Sequence, residues 1–237
     1  MNIAIIAAAG QGTRAGGGRA KQFREISGTP IIIHTLRRFE QCSSIGEILV
    51  VVPAGEQAEL LALAARHGLR KLSRVVAGGA TRTESVWRGL QTVRAATAGI
   101  VAVHDGVRPF VTPEEIDRTV EEAARSGAAV LAAPVVDTIK EVEAGRVKGT
   151  PERGRLWRAL TPQCFRYELL RRAYERALAE GSQATDDSAL VERLGAEISI
   201  VEGDARNVKI TTAEDIAFAE MMLKGSRESE AGSRKKY

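Results

Sequence analysis

Five glycines (Gly10, Gly12, Gly16, Gly17 and Gly18) and three cations (Arg14, Arg19 and Lys21) follow the first apolar run of the chain. Glycine lets a backbone approach an anion closely and aim its N–H groups at it. The cations add charged donors to the same loop. A Walker A loop is excluded, because Lys21 lacks both the preceding Gly and the following Ser or Thr. Gly10, Gly12 and Ala15 match the relaxed dinucleotide fingerprint. That fingerprint wants a helix at its second Gly and an acid about 20 residues on. Here three more glycines follow, and the next long apolar run ends at Val52-Pro53. A clamp for a nucleoside triphosphate is the third use, and the cations favour it.

Other chemistry-bearing clusters come later. Gly78-Gly79 precedes Arg82 and Ser85, where the Gly pair permits close backbone contact and Ser85 can donate a hydrogen bond. His104-Asp105-Gly106-Val107-Arg108-Pro109 puts a carboxylate at the end of an apolar run, suited to a metal or a substrate. An Asp there is equally an ordinary cap or turn residue. Asp137-Thr138-Ile139-Lys140, Arg153 with Leu160-Thr161-Pro162-Gln163, and Asn207-Val208-Lys209-Ile210-Thr211 each place a hydroxyl or cation near the end of a run.

The elements that must position these groups alternate. Apolar runs at 3–8, 48–52, 75–76, 100–103, 128–133 and 198–201 read as strands. Amphipathic segments near 30–41, 55–67, 82–95, 113–125, 166–180 and 213–223 read as helices. Thr29-Pro30, Thr112-Pro113 with Glu115, and Thr211 with Glu214 are candidate helix starts. Continuous apolar strands separated by helices predict an α/β fold, a Rossmann-like, mostly parallel sheet with helices on both faces. Ligands then sit at the carboxyl ends of the strands. Residues 137–153 break the alternation and read as a protruding β-hairpin whose Ile139, Val142 and Val147 need a partner surface. A second copy of the chain is the simplest partner. We expect one domain over 1–223, with 224–237 a disordered basic tail.

Taken together, these clusters resemble one family, the cytidylyltransferases that use 2-C-methyl-D-erythritol 4-phosphate in the non-mevalonate route to isoprenoids. Its A-A-G-x-G-x-R then K-Q pattern is met by Ala8, Ala9, Gly10, Gly12, Arg14, Lys21 and Gln22. G-G-x-x-R-x-x-S-V is met at 78–86 and H-D-x-x-R-P at 104–109. D-T-x-K, A-L-T-P-Q and N-x-K-x-T fall at 137–140, 159–163 and 207–211. The chain departs from the pattern at Ala15 and Ala20, where the family often has Met and Pro.

The resemblance implies a nucleotidyltransferase-type fold and transfer of a cytidylyl group from CTP to the substrate's phosphate, releasing pyrophosphate. It implies that Arg14 and Lys21 stabilise the transition state and that Arg153 and Lys209 position the sugar phosphate. Ala8, Ala9, Gly10, Gly12, Gly79, Ser85 and Gly106 would hold the nucleotide. Asp105, Arg108, Thr138 and Thr161 would hold the acceptor. Mg²⁺ would bridge the triphosphate, with Asp105 near it. The hairpin would embrace a second subunit, so that Thr138 and Arg153 serve the neighbour's site in a homodimer. A phosphomonoester with a second pKa near 6 needs no general base, which suits three histidines in no triad pattern. A ribitol 5-phosphate cytidylyltransferase is the nearest alternative; a dinucleotide-binding oxidoreductase is weakened by the absence from this chain of the ribose-binding acid.

Composition narrows the rest. The chain has 237 residues and a net charge of +4, with 44% hydrophobic and 4% aromatic residues. From Lys224 onward there are five basic and two acidic residues, so the preceding body carries only +1. Few aromatics and a near-neutral body argue against nucleic acid. Two cysteines make no disulfide framework. No apolar run approaches membrane length, and no basic region precedes the first one, so we expect a cytoplasmic protein without a signal peptide.

Overall fold

The computed structural model describes residues 1–10, 20–182 and 184–234, with side chains as far as Lys224. In chain order the elements are β1 (Ile3–Ala7), β2 (Glu25–Ile26), β3 (Thr29–Pro30), α1 (Ile31–Gln41), β4 (Glu47–Val52), α2 (Gln57–Arg66) and β5 (Leu72–Ala77). There follow α3 (Arg82–Gln91), β6 (Ile100–Asp105), α4 (Pro113–Ser126), β7 (Ala128–Pro134), β8 (Glu141–Glu143) and β9 (Arg146–Gly149). The last are β10 (Trp157–Arg166), α5 (Tyr167–Ala179), α6 (Asp187–Glu192), β11 (Ser199–Glu202) and α7 (Ala213–Arg234).

Alternation along the strands divides the interior into two cores. Ala4 and Ile6 of β1, with Ile48 and Val50 of β4, face one core; Ile3, Ile5 and Leu49 face the other. A strand apolar at every position must be covered on both faces. Phe39 of α1, Leu60 of α2 and Ile116 of α4 cover the first face. Val86 of α3, Leu170 of α5 and Leu190 of α6 cover the second.

The sheet order is β11-β7-β10-β6-β1-β4-β5. Every neighbouring pair is parallel except those made by β10, which runs antiparallel to β6 and β7. The expected mostly parallel sheet is therefore present, with a central strand the sequence reading missed. Pro162 lies inside β10, and the register with β7 shifts between Ala159 and Gln163. A Pro within a run argues against a central strand, and the shift interrupts the alternation that would reveal one.

Residues 137–153 carry the expected hairpin, β8 with β9, where Val142 lies opposite Val147. Its turn needs left-handed backbone at Ala144 (φ 47°) and Gly145 (φ 77°), which glycine adopts freely.

Helix starts show what local signals carry. Thr112 begins α4 with a reciprocal capping box, its hydroxyl accepting the Glu115 N–H at 3.2 Å while Glu115 accepts the Thr112 N–H at 2.9 Å. Thr112→Ala should lower stability by about 1 kcal/mol in urea unfolding. The expected cap at Thr29 is corrected. Pro30 precedes α1 without a side-chain cap, because Thr29 pairs with Ile26 in the β2–β3 ladder. At α7 the box belongs to Thr212 and Asp215, one residue beyond the expected Thr211 and Glu214. The helix continues to Arg234, past the expected end at 223 and into the segment read as a disordered tail. Arg, Glu and Lys in that stretch are good helix formers, although Gly225 and Gly232 each cost about 1 kcal/mol relative to Ala.

Candidate active site

From β1 the chain runs out to β4 and β5, then returns to β6 on the other side of β1. The crevice at such a reversal, at the carboxyl ends of the strands, is where parallel sheets bind ligands. A cleft of about 630 Å³ opens there. Ala8, Ala9 and Gly10 line it after β1, Gly79 to Arg82 with Ser85 after β5, and Asp105 after β6. Lys21, Gln22 and Lys209 also line it.

Backbone ladders continued past the strand ends bring these loops together. Ala8 donates to the Val51 carbonyl at 2.8 Å, Gly78 to Val52 at 2.8 Å and Gly106 to Ala7 at 2.9 Å. A Cβ on Gly106 would lie 2.8 Å from Ile32 and 2.9 Å from Ala8, so only glycine permits this approach. Ser85, in the first turn of α3, orders the glycine pair. Its hydroxyl accepts the Gly79 N–H at 3.0 Å and donates to the Thr81 carbonyl at 2.8 Å.

Asp105 is the centre of the charge. Its Oδ2 lies 3.0 Å from Lys209 Nζ and 3.2 Å from Arg108 Nε, and its Oδ1 lies 3.5 Å from Arg82 Nε. Burial alone would push this carboxyl up, but Lys209, Arg82 and Arg108 together hold it well below the usual carboxylate range. A third small core brings Lys209 here: Ile210 packs with Ile26, Ile31, Val107 and Ala219 of α7. Its N–H donates to the Val107 carbonyl at 2.9 Å. Asn207 is buried and donates to the Thr161 carbonyl at 2.8 Å, while its own carbonyl accepts from Arg108 at 2.9 Å.

Thr161 and His104 lie beneath the carboxylate. The Asp105 N–H donates to Thr161 Oγ1 at 3.3 Å, and that hydroxyl meets His104 Nδ1 at 2.9 Å. His104 Nε2 faces the Arg108 carbonyl at 3.1 Å, so Nε2 carries the proton and Nδ1 accepts from Thr161. Burial holds His104 down at about 4, neutral near pH 7.

Of the sequence-derived site residues, Ala8, Ala9, Gly10, Lys21, Gly79, Ser85, Asp105 and Lys209 meet in the cleft. Arg108 and Gly106 support it from the β6 loop. Thr161 is buried with its hydroxyl spoken for, beneath Asp105 rather than along the cleft. Thr138 and Arg153 are exposed near the base of the hairpin and do not line it. Arg153 donates there to the Val136 carbonyl at 3.0 Å. Gly12, Arg14 and Arg19 lie outside the described residues. Sequence reasoning gave no role to Arg82 and did not notice Asp187, which pairs with it. The one local signal was the Asp186-Asp187 pair opening α6, where Asp186 caps the helix.

Among the described residues, no group of three or more His, Cys, Asp or Glu side chains could hold a metal. Asp105 is the only carboxylate lining the cleft among them, and three cations face it. That donor set is no metal cage. It suits an Mg²⁺ that takes most of its ligands from phosphate oxygens and water. No helix among the described residues is long and apolar enough to cross a membrane.

The family model IspD, 2-C-methyl-D-erythritol 4-phosphate cytidylyltransferase, matches residues 2–225. The chain belongs to this family. A 2-C-methyl-D-erythritol 4-phosphate cytidylyltransferase of Bacillus velezensis is 45% identical over 223 residues, 94% of this chain and 95% of the relative. That of Geobacter metallireducens is 46% identical over 226 residues, 94% and 97%. Among solved structures, the 4-diphosphocytidyl-2C-methyl-D-erythritol synthase of Anaerococcus prevotii superposes with a TM-score of 0.84 at 30% identity, covering 94% of this chain and 96% of that one. The 2-C-methyl-D-erythritol 4-phosphate cytidylyltransferase of Thermus thermophilus gives 0.75 at 34%, covering 94% and 98%. The family motifs at 8–10, 78–86, 104–109 and 207–211 come from distant parts of the chain and surround one cleft.

Proposed function

We propose that this chain transfers a cytidylyl group from CTP to 2-C-methyl-D-erythritol 4-phosphate, giving 4-diphosphocytidyl-2-C-methyl-D-erythritol and pyrophosphate. In-line attack of the acceptor phosphate on the α-phosphorus of CTP forms one P–O bond and breaks the bond to the pyrophosphate oxygen. The observation that carries this reading is a strand-end cleft holding Lys21, Lys209 and the cation-ringed Asp105, in a member of this family. The acceptor phosphate is largely dianionic near pH 7 and needs no base. His104, neutral with both ring nitrogens engaged, is accordingly structural.

The obstacle is repulsion between an anionic nucleophile and an anionic phosphorus, so catalysis is charge neutralisation and alignment. Lys21 and Arg14 neutralise the triphosphate and the departing pyrophosphate. Backbone groups of Ala8, Ala9, Gly10, Gly12, Gly79 and Gly106, with Ser85, hold the nucleotide. Lys209 leaves Asp105 for the acceptor phosphate, while Asp105 and Arg108 meet the polyol, with Thr161 fixing Asp105 from below. Asp105 is the cleft carboxylate that would help to hold an Mg²⁺, which would supply further neutralisation of the leaving group. The reaction belongs in the cytoplasm, with its nucleotide.

The working unit is a homodimer. Val136 (77% exposed), Val142 and Val147 stand uncovered on and beside the hairpin, and a second copy would bury them and receive Thr138 and Arg153 at its own cleft. Analytical ultracentrifugation should give a dimer, and Val142→Asp with Val147→Asp a folded monomer with at least tenfold lower activity. A fully active monomer overturns the shared site. The reaction itself is tested by pyrophosphate release from CTP with each polyol phosphate. Faster release with ribitol 5-phosphate would overturn the acceptor assignment.

A further inference from the structure

Three cations face Asp105, but they are anchored differently. Arg108 is held at its far end by the Asn207 carbonyl at 2.9 Å. Arg82 is held more firmly: Nη1 and Nη2 make a two-pronged pair with Asp187 at 3.0 and 2.7 Å, leaving Nε for Asp105 Oδ1 at 3.5 Å. Lys209 is 40% exposed on a flexible stem, with Asp105 its one ion-pair partner among the described residues. It is the member free to move.

Asp187 is built to stay where it is. Its carboxylate is fully buried and accepts a hydrogen bond from the Tyr174 hydroxyl. Its N–H donates to Gln163 Oε1 of β10 at 3.0 Å. Tyr174 of α5 stacks on Trp87 of α3, centroids 6.2 Å apart, so the helix carrying Arg82 and the helix carrying Tyr174 are tied together. The guanidinium thus bridges a rigid buried anion and the carboxylate in the cleft. A bare ammonium lacks the planar fork to do both.

We propose that Arg82, clamped by Asp187, is a positioning residue for the acceptor site: it holds the Asp105 carboxylate in place while Lys209 leaves it for the acceptor phosphate. The inference rests on the acceptor reading above. Lys209 already pairs with Asp105 at 3.0 Å. Without Arg82 that carboxylate has one cation fewer and holds Lys209 more tightly, so the acceptor phosphate must break a stronger pair. The nucleotide is held by other groups, so the effect falls on one substrate.

The test measures KM for 2-C-methyl-D-erythritol 4-phosphate and for CTP separately in Asp187→Asn, Arg82→Lys, Arg82→Met and the double variant Asp187→Asn with Arg82→Met. Each should raise the acceptor KM about tenfold, the scale of one lost charged hydrogen bond, and leave the CTP KM within about twofold. The double variant removes both members of the pair and leaves no buried Asp187 charge unpaired, so it remains readable where Arg82→Met alone fails to fold. Because the two residues act as one unit, it should be no worse than the poorer single variant. An unchanged acceptor KM in a folded variant, a parallel rise of both KM values, or full rescue by Arg82→Lys overturns the proposal. Wild-type protein that turns over CTP with ribitol 5-phosphate alone would overturn the acceptor reading instead.

Discussion

Lys21→Ala should lower kcat by about 10²–10³-fold and leave the thermal midpoint of the protein within a degree or so. Lys21 opens a single 3-10 turn, Lys21–Phe23, whose Gln22 and Phe23 are the buried members. The turn is therefore held by its neighbours, and the lysine side chain reaches into the cleft. Its charge matters most when negative charge gathers on the leaving pyrophosphate, so the loss falls on the chemical step more than on CTP binding. Steady-state pyrophosphate release gives kcat and KM, and a melting curve reports folding. Near wild-type turnover in the folded variant would remove Lys21 from the mechanism. A rise in the CTP KM alone would make it a binding residue.

Asp105→Asn should cost both stability and activity. Removing one member of a buried ion-pair network costs about 3–5 kcal/mol, because the remaining charges stay desolvated. The lower end applies here, since Arg82 keeps Asp187 and Lys209 reaches solvent. The sign of the pH effect follows from the depressed pKa. An Asp105 ionised more readily in the folded chain than in the unfolded one contributes its full stability above the unfolded value near 3.9. That contribution declines as pH falls toward the folded value. The stability gap between wild type and Asp105→Asn should therefore be constant from pH 8 to 5 and narrow below about 4. Urea unfolding across that range measures it. A gap that stays constant to pH 3 would mean that the charge of Asp105 does not support the fold. Activity of the folded variant should fall at least tenfold, through the acceptor KM.

Local signals made much of the fold readable. The central strands are apolar at consecutive positions, so their burial on both faces, and hence a parallel sheet between helices, follows from composition within a few residues. Thr112, Pro113 and Glu115 announce α4 because a capping box involves only neighbours in the chain. The Ala144-Gly145 turn is visible for the same reason. β10 was not readable. Its proline and register shift hide the alternation, and it is held by pairing with β6 and β7, contributed by earlier parts of the chain. Thr29 misled for the converse reason: a good capping residue was taken into a ladder with Ile26 instead.

The same division runs through the site. The amino-acid order alone was enough to say that glycines and cations follow strands, that the ligand is a small anion rather than a polyanion, and that six motifs match one family. These are statements about residue types and their spacing, which short-range geometry translates directly. It could not say that Arg82, Arg108 and Lys209 converge on one carboxylate, nor that Thr161 lies beneath it and Asp187 behind it. Coulomb attraction at about 3 Å depends on where packing sets each backbone. Here that is settled by the apolar contacts of Ile210 with Val107 and α7, and of α3 with α5. Charge pairing in a buried site is a property of the packed molecule, and only the tertiary structure supplies it.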